Sequence, residues 1–463
     1  MEGVESRPIS DCAEAVGNSP SQRSVSLPNM SKRYNGPWVA QEVARCAAVW
    51  HDCAVHPAEL EPLYSPRDHE SREVAYNMAL DEVEWEARRL ARNGAGRALA
   101  EQRMIASFAR FAQNALDLEQ EQIGLLTDDF LPASIDFARR ARQFDPAISR
   151  EDTIQACRNA WTACGLQPLL GVPSGITPSI LAYSLLYPYS DNYLDSGDVS
   201  AEDKLAFSAR FRERLRGSTT PAVNPREAAI WALVKSIEQQ YPRAPFPDVY
   251  DCLLSIHQAQ EESVAQLGSG SEIGDGELLR LSLAKGGTSV LADACLARGQ
   301  MTAEESRVAL EWGALLQLGD DLQDVRDDLR CGSRTLFTRA AQRGEPLDAL
   351  VLQLFAFFEC VSARMAQLPH GTARLKSLLQ MSWRSLIIGA MAEAHEFFSP
   401  AFLIQAERCS PFRFDFLRTR RKRLAGREGL YTGIFDLFVQ DPLQHLAESV
   451  RKGDRSFETA LQA

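Results

Sequence analysis

The chain has no CxxC pair: its ten cysteines stand singly. That fits reduced thiols better than a disulfide framework or a structural zinc site. Basic charge is also short. Fifty Lys and Arg against 62 Asp and Glu leave a formal charge of −12, the wrong sign for a nucleic-acid partner. No histidine follows a glutamate by three positions, which removes the Glu-x-x-His signature of di-iron bundles. HExxH, the P-loop GxxxxGK[ST], GxSxG and the EF-hand loop are missing too. The longest apolar stretch, Leu166 to Tyr189, is broken by Pro168, Pro173, Pro178 and Pro188 and by Gly171 and Gly175. A membrane span wants about 20 continuous apolar residues, so a buried helix and no stable membrane span are expected there. The first 35 residues carry no apolar signal-peptide core and are rich in Ser, Pro, Asn and Gly. They are expected to form a disordered tail on a cytoplasmic protein.

Nor does any run of alternating β-branched residues reach the length of a strand. What is present is helical periodicity. Apolar residues recur every three or four positions over 73–93, 99–124, 151–166, 176–195, 201–216, 226–241, 246–267, 276–298, 303–329, 344–367, 372–398 and 434–451. A length of 463 residues gives a prior of about three domains, but no composition shift inside 70–440 marks a linker. The expectation is one all-α domain over 36–463, 45% hydrophobic and able to bury a large core.

Two aspartate clusters end helix-compatible apolar segments: Asp191-Asn192-Tyr193-Leu194-Asp195 and Asp320-Asp321-Leu322-Gln323-Asp324. Residues four apart share a helix face, so Asp191 pairs with Asp195 and Asp320 with Asp324, with Asp328 one turn further. Like charges at about 4 Å repel by roughly 1–4 kcal/mol, so such stripes call for a compensating cation. Mg²⁺ takes oxygen ligands and is shared between one or two carboxylates and substrate phosphates. Two facing stripes on separate helices would clamp a diphosphate through bridging metal ions. A single DxxxD is commonly just a solvated helix face; the pair is the informative feature. Asn192 points off the Asp191/Asp195 face, and Asp198 lies beyond Gly197, expected as a loop charge.

The segment Gly313 to Arg334, with Gln317, Asp320, Asp321, Asp324, Asp328 and Gly332, resembles the second aspartate-rich motif of class I isoprenoid synthases. It is similar both to the FQxxDDxxD motif of prenyl diphosphate synthases and to the QxxxIxxDxxxD motif of squalene and phytoene synthases. Ser190 to Asp195 resembles DDxxD with Asn192 at its second position, and is similar to the bacterial large terpene cyclases. Lys285-Gly286-Gly287-Thr288-Ser289 resembles the helix break of the same fold, expected here to free backbone carbonyls toward the substrate. The resemblance covers about 155–400 of the chain.

It implies an all-α bundle around a central apolar cavity, with about three Mg²⁺ (Mn²⁺ as a substitute) on Asp191, Asp195, Asp320, Asp321, Asp324 and Asp328. It implies that Asp191, Asp195, Asp320, Asp324 and Lys285 are catalytic. Gln317 and the cations Arg280, Arg326, Arg330 and Arg334 would meet the diphosphate, as would the Arg418–Arg423 cluster followed by Tyr431. A carbocation needs π faces and protection from water. Trp161, Tyr183, Tyr187, Tyr193, Trp231, Trp312, Trp383, Phe397 and Phe398 are candidates, and Trp161, Tyr187 and Trp383 are chosen among them. The implied activity is a terpene synthase acting on a prenyl diphosphate. No basic GKR-type motif stands shortly before Asp191, and no double arginine closely follows it, as isopentenyl-adding enzymes require. A prenyl-coupling enzyme, head-to-tail or head-to-head, stays open as the alternative. So do a non-catalytic metal-binding helical protein and a homodimeric state.

Overall fold

The computed structural model describes Tyr34 and residues 36–93, 97–195, 199–266 and 273–427; these form helices and no strand. In chain order the first half contains α1 (Gly36–Val55), α2 (Pro66–Asn93), α3 (Arg97–Leu116), α4 (Gln120–Gly124), α5 (Leu131–Phe144), α6 (Arg150–Leu169), α7 (Pro178–Asp195), α8 (Ala201–Leu215) and α9 (Pro225–Gln240). The second half contains α10 (Pro247–Ser263), α11 (Asp275–Arg298), α12 (Ala303–Gln323), α13 (Val325–Cys331), α14 (Leu336–Gln342), α15 (Asp348–Ala366), α16 (Ala373–Glu393), α17 (Pro400–Glu407) and α18 (Phe414–Ala425). The expected tail (apart from Tyr34), Asp198, Tyr431 and the 434–451 segment fall outside the described residues.

Helix starts follow the punctuation in the sequence. Ser149, Asn224, Thr302 and Thr372 each accept a backbone N–H three residues on, and Thr302 forms a capping box with Glu305. Helix α11 is the axis of the bundle. It is buried on nearly every side, from Leu278 to Ala297, as a helix apolar all round must be. It packs against α12 most extensively, then α10, α6, α1 and α7.

The expected helix break at Gly286-Gly287 does not occur, because α11 runs unbroken through it. The glycines serve a close crossing instead. A Cβ on Gly286 would overlap the Gly313 carbonyl and Gln317, and a Cβ on Gly313 would overlap the Gly286 carbonyl. Helix–helix distance at this crossing is thus set by missing side chains. The backbone stays hydrogen-bonded within the helix, so it offers no freed carbonyls to a substrate.

The break comes in the partner helix. The expected 303–329 helix divides at Asp324, whose φ of −93° and ψ of 5° cap α12 before α13 begins at Val325. Gly332, at a φ of 75°, then ends α13 in the left-handed conformation that glycine adopts freely.

Helix α15 is long and apolar enough to cross a membrane by length and composition, yet it packs on α1, α12 and α16. All nine described cysteines are free.

Tyr34 corrects the boundary of the expected tail. It is fully buried, its hydroxyl lies 2.7 Å from Ser306 Oγ, and its carbonyl accepts from Ser255 Oγ at 2.8 Å. Tyr34→Ala should therefore lower the unfolding free energy by about 3–5 kcal/mol, the usual range for deleting a core aromatic. Urea denaturation followed by circular dichroism reads this directly, and a loss below about 0.5 kcal/mol would return Tyr34 to the tail.

Candidate active site

Helices α6, α7, α8, α10, α11, α12 and α16 line one cavity of about 650 Å³. Helical spacing explains its wall. On α11, Lys285, Ser289 and Asp293 follow each other at four-residue intervals; on α12, Gly313, Gln317 and Asp320 share a face. Helix α6 contributes Gln155, Arg158, Asn159, Trp161 and Thr162, and α7 contributes Tyr183, Leu186, Tyr187 and Ser190. Another depression, of about 740 Å³ and bordered by Phe246, Arg298 and Met301, offers only a cation already paired with Glu305.

The second aspartate stripe divides in two. Asp320 lines the cavity; its carboxyl is pushed above the usual range by the surrounding protein and by Asp324, with Lys285 and Arg158 opposing. Asp328 is pushed up to about 6 by burial and by the charges of Asp324 and Asp320, again opposed by Lys285. These three carboxylates thus share one field with Lys285. Asp321, expected as a metal ligand, is not among the cavity-lining residues, although it too feels the charges of Asp320 and Lys285. It is buried, accepts from Ser282 Oγ at 2.6 Å and Gln317 Nε2 at 2.9 Å, and burial pushes it up to about 7. Its position is that of an anchor between α11 and α12. Gln317 lines the cavity but commits its amide to this anchor.

At the first stripe, Gln260 of the cavity wall donates to both oxygens of Asp191, at 3.0 and 3.1 Å, and Ser190 donates at 3.2 Å. Asn192 points away and donates to Asp152 at 2.7 Å. Asp195 is the last residue of α7, and its side chain lies outside the described residues.

Most of the expected diphosphate-binding arginines are engaged within the protein. Arg280 pairs with Glu262 and Glu277 at 2.9 and 2.8 Å, Arg326 with Glu396 at 2.5 Å, and Arg330 with Asp327 at 2.6 Å. Arg334 donates to the Gln266 carbonyl from Nε at 3.5 Å and from its backbone N–H at 3.0 Å. In the Arg418–Arg423 cluster, Arg418 meets Asp415, Arg421 meets Glu393, and Arg423 meets Asp81 and Glu84. None of these arginines lines the cavity. Glu277, Asp327 and Asp415 are i, i+3 neighbours on the arginine's own helix, whereas Glu262, Glu396, Glu393, Asp81 and Glu84 are brought in by the fold.

Lys285 and Arg158 do line it, and no salt bridge forms to either among the described residues. Arg158 is absent from the sequence-based candidates, although Gln155, Arg158, Asn159 and Thr162 form a polar stripe on a helix of small buried residues.

Of the aromatics, Trp161, Tyr183, Tyr187 and Trp383 line the cavity. Trp161 and Tyr187 are 52% and 41% exposed, whereas Trp383 is buried against Trp312, with ring centroids 4.9 Å apart. Tyr193, Trp231, Trp312, Phe397 and Phe398 pack outside the lining. Asp293 is a second lining residue that sequence reasoning missed. It stands alone in the apolar run Val290–Ala297, is 1% exposed and accepts from Asn159 Nδ2 at 2.9 Å.

Among the described residues, no three His, Cys, Asp or Glu side chains stand close enough to cage a metal ion. Mg²⁺ does not need such a cage, being held by one or two carboxylates with substrate phosphates. The hard oxygen donors of Asp320, Asp324 and Asp328 are of the right kind for it, and their mutual repulsion is what a cation would relieve. No protein-family model matches the chain, and no curated protein matches it.

Proposed function

We propose that this cavity is the active site of a class I isoprenoid synthase of the terpene synthase type, acting on one prenyl diphosphate. The carrying observation is the meeting of Asp320, Lys285 and Arg158 with Trp161, Tyr187 and Trp383 on the wall of a single cavity. Acid, base and aromatic faces in one concave site match a ligand with an anionic head and a hydrocarbon body.

Asp320, Asp324 and Asp328 would hold Mg²⁺, with Asp191 of α7 held by Gln260 of the cavity wall. Bound Mg²⁺ supplies Lewis-acid polarisation of the diphosphate oxygens. Lys285 and Arg158 hydrogen-bond the same oxygens and balance the charge that develops as the diphosphate leaves. The faces of Trp161, Tyr187 and Trp383 then lie against the hydrocarbon, where a ring quadrupole attracts positive charge. Leu186, Phe211, Leu215, Leu253 and Ile256 add apolar surface to the wall for the hydrocarbon.

A second reading, joining of two prenyl chains, rests on the Asp324 and Asp328 spacing. Incubation with farnesyl or geranylgeranyl diphosphate, with and without isopentenyl diphosphate, separates the readings by product mass. A synthase gives products of unchanged carbon number from one substrate. Coupling gives a longer or doubled carbon chain, and a scaffold gives no product.

Lys285→Ala should weaken binding of inorganic diphosphate in the presence of Mg²⁺ by roughly 1.5–3 kcal/mol, about tenfold to more than a hundredfold in Kd. Isothermal titration calorimetry measures this. An unchanged Kd would remove the lysine from the anion site.

A further inference from the structure

Asp293 is a buried carboxyl that the proposed ionisation does not use. It lines the cavity beside Ser289 and Val290 and is 1% exposed. Its Oδ1 accepts from Asn159 Nδ2 at 2.9 Å, and that same amide reaches Ser184 Oγ at 3.1 Å. Its Oδ2 has no hydrogen-bond partner. Buried side-chain oxygens are seldom left so. The neighbouring Tyr183 hydroxyl cannot satisfy it, because it already donates to the Ser289 carbonyl at 3.2 Å. Burial pushes the Asp293 carboxyl well above the ordinary range, with only the Asn159 hydrogen bond opposing. Oδ2 is thus the carboxyl atom left open to whatever occupies the cavity.

Lys285 and Asp293 stand eight residues apart on α11, so the acid sits about 12 Å along the helix from the anion end. A prenyl chain seated head-first at Lys285 brings only carbon–carbon double bonds to that depth.

We propose that Asp293 is a catalytic proton donor to a double bond of the hydrocarbon held in the cavity. This rests on the prenyl diphosphate reading above. In the step, the Oδ2–H bond breaks and the π electron pair forms a new C–H bond. One olefinic carbon is left cationic and Asp293 is left as carboxylate. Loss of a proton from a carbon next to the cation regenerates a double bond and returns Asp293 to the acid. No oxidant, reductant or second substrate is consumed, and Asn159 is the positioning residue that fixes the carboxyl plane.

The test uses the full chain with Mg²⁺ and geranylgeranyl diphosphate. The protein is pre-equilibrated in D₂O and kept in excess, so each site turns over once. Mass spectrometry of the extracted product reads deuterium bound to carbon. Wild type should give about one deuterium per product molecule, and Asp293→Asn, which is isosteric, should lower that content at least tenfold. Wild-type product without deuterium overturns the proposal whatever the variant does, and so does undiminished deuterium from Asp293→Asn. In either case, normal diphosphate release leaves the synthase reading standing and reduces Asp293 to a structural, water-bridged group. If wild type releases no diphosphate, the synthase reading fails and this inference fails with it.

Discussion

Asp320→Asn should lower diphosphate release from a prenyl diphosphate by at least about 10²–10³-fold, the usual loss when one group that stabilises developing charge is removed. Asp320 is the one member of its stripe that lines the cavity while sharing the field of Asp324, Lys285 and Arg158. Removing its charge removes the carboxylate placed nearest the anion site. Folding should not suffer. Among the described residues Asp320 accepts no side-chain hydrogen bond, and its repulsion with Asp324 disappears in the variant. Its melting temperature should equal or exceed that of wild type. Groups kept for chemistry at a cost in stability behave this way. A variant that turns over normally, or one that unfolds, would place Asp320 in a structural role.

Gly313→Leu should strongly destabilise the fold. Even a Cβ at this position overlaps the backbone carbonyl of Gly286, and backbone cannot rotate aside as a side chain can. Overpacking commonly costs about 1–3 kcal/mol. Here α11 and α12 must separate at their most extensive contact, so a loss of more than about 3 kcal/mol is expected. Both helices line the cavity, so activity should fall with stability. A Gly313→Leu protein with wild-type denaturation midpoint and activity would mean that the crossing is looser than the backbone geometry requires.

The all-helical class was legible because helical periodicity is a local property that survives whatever the helices pack against. Helix α1 was missed although Val43, Cys46, Trp50 and Cys53 bury at intervals of three and four. Two of these four are cysteines, which read as polar scatter until they are seen inside a core. The Gly286-Gly287 pair was misread for a related reason. Glycine is compatible with a helix break and with a close crossing, and only the partner Gly313, on another helix, decides between them.

The site divides along the same line. Asp320 stands out by its aspartate spacing, Lys285 and Gln317 by the resemblance, and Trp161, Tyr187 and Trp383 by type, and one cavity gathers them. Arg280, Arg326 and Arg330 were chosen on proximity in sequence. Their carboxylate partners Glu262, Glu396 and Asp327 take them out of the cavity, and the first two lie 18 and 70 residues distant. Arg158 lies far from both motifs in sequence, and the fold alone brings it to the cavity of Asp320 and Lys285; Asp293 lies two helical turns beyond Lys285 on α11, outside either motif.

The most direct test of the account is Mg²⁺-dependent diphosphate release from farnesyl and geranylgeranyl diphosphate by the full chain, followed by a coupled phosphate assay. Release is expected with Mg²⁺, stopping when EDTA is added and lost in Asp320→Asn. Absence of release from either substrate, or release indifferent to both EDTA and Asp320→Asn, would contradict it.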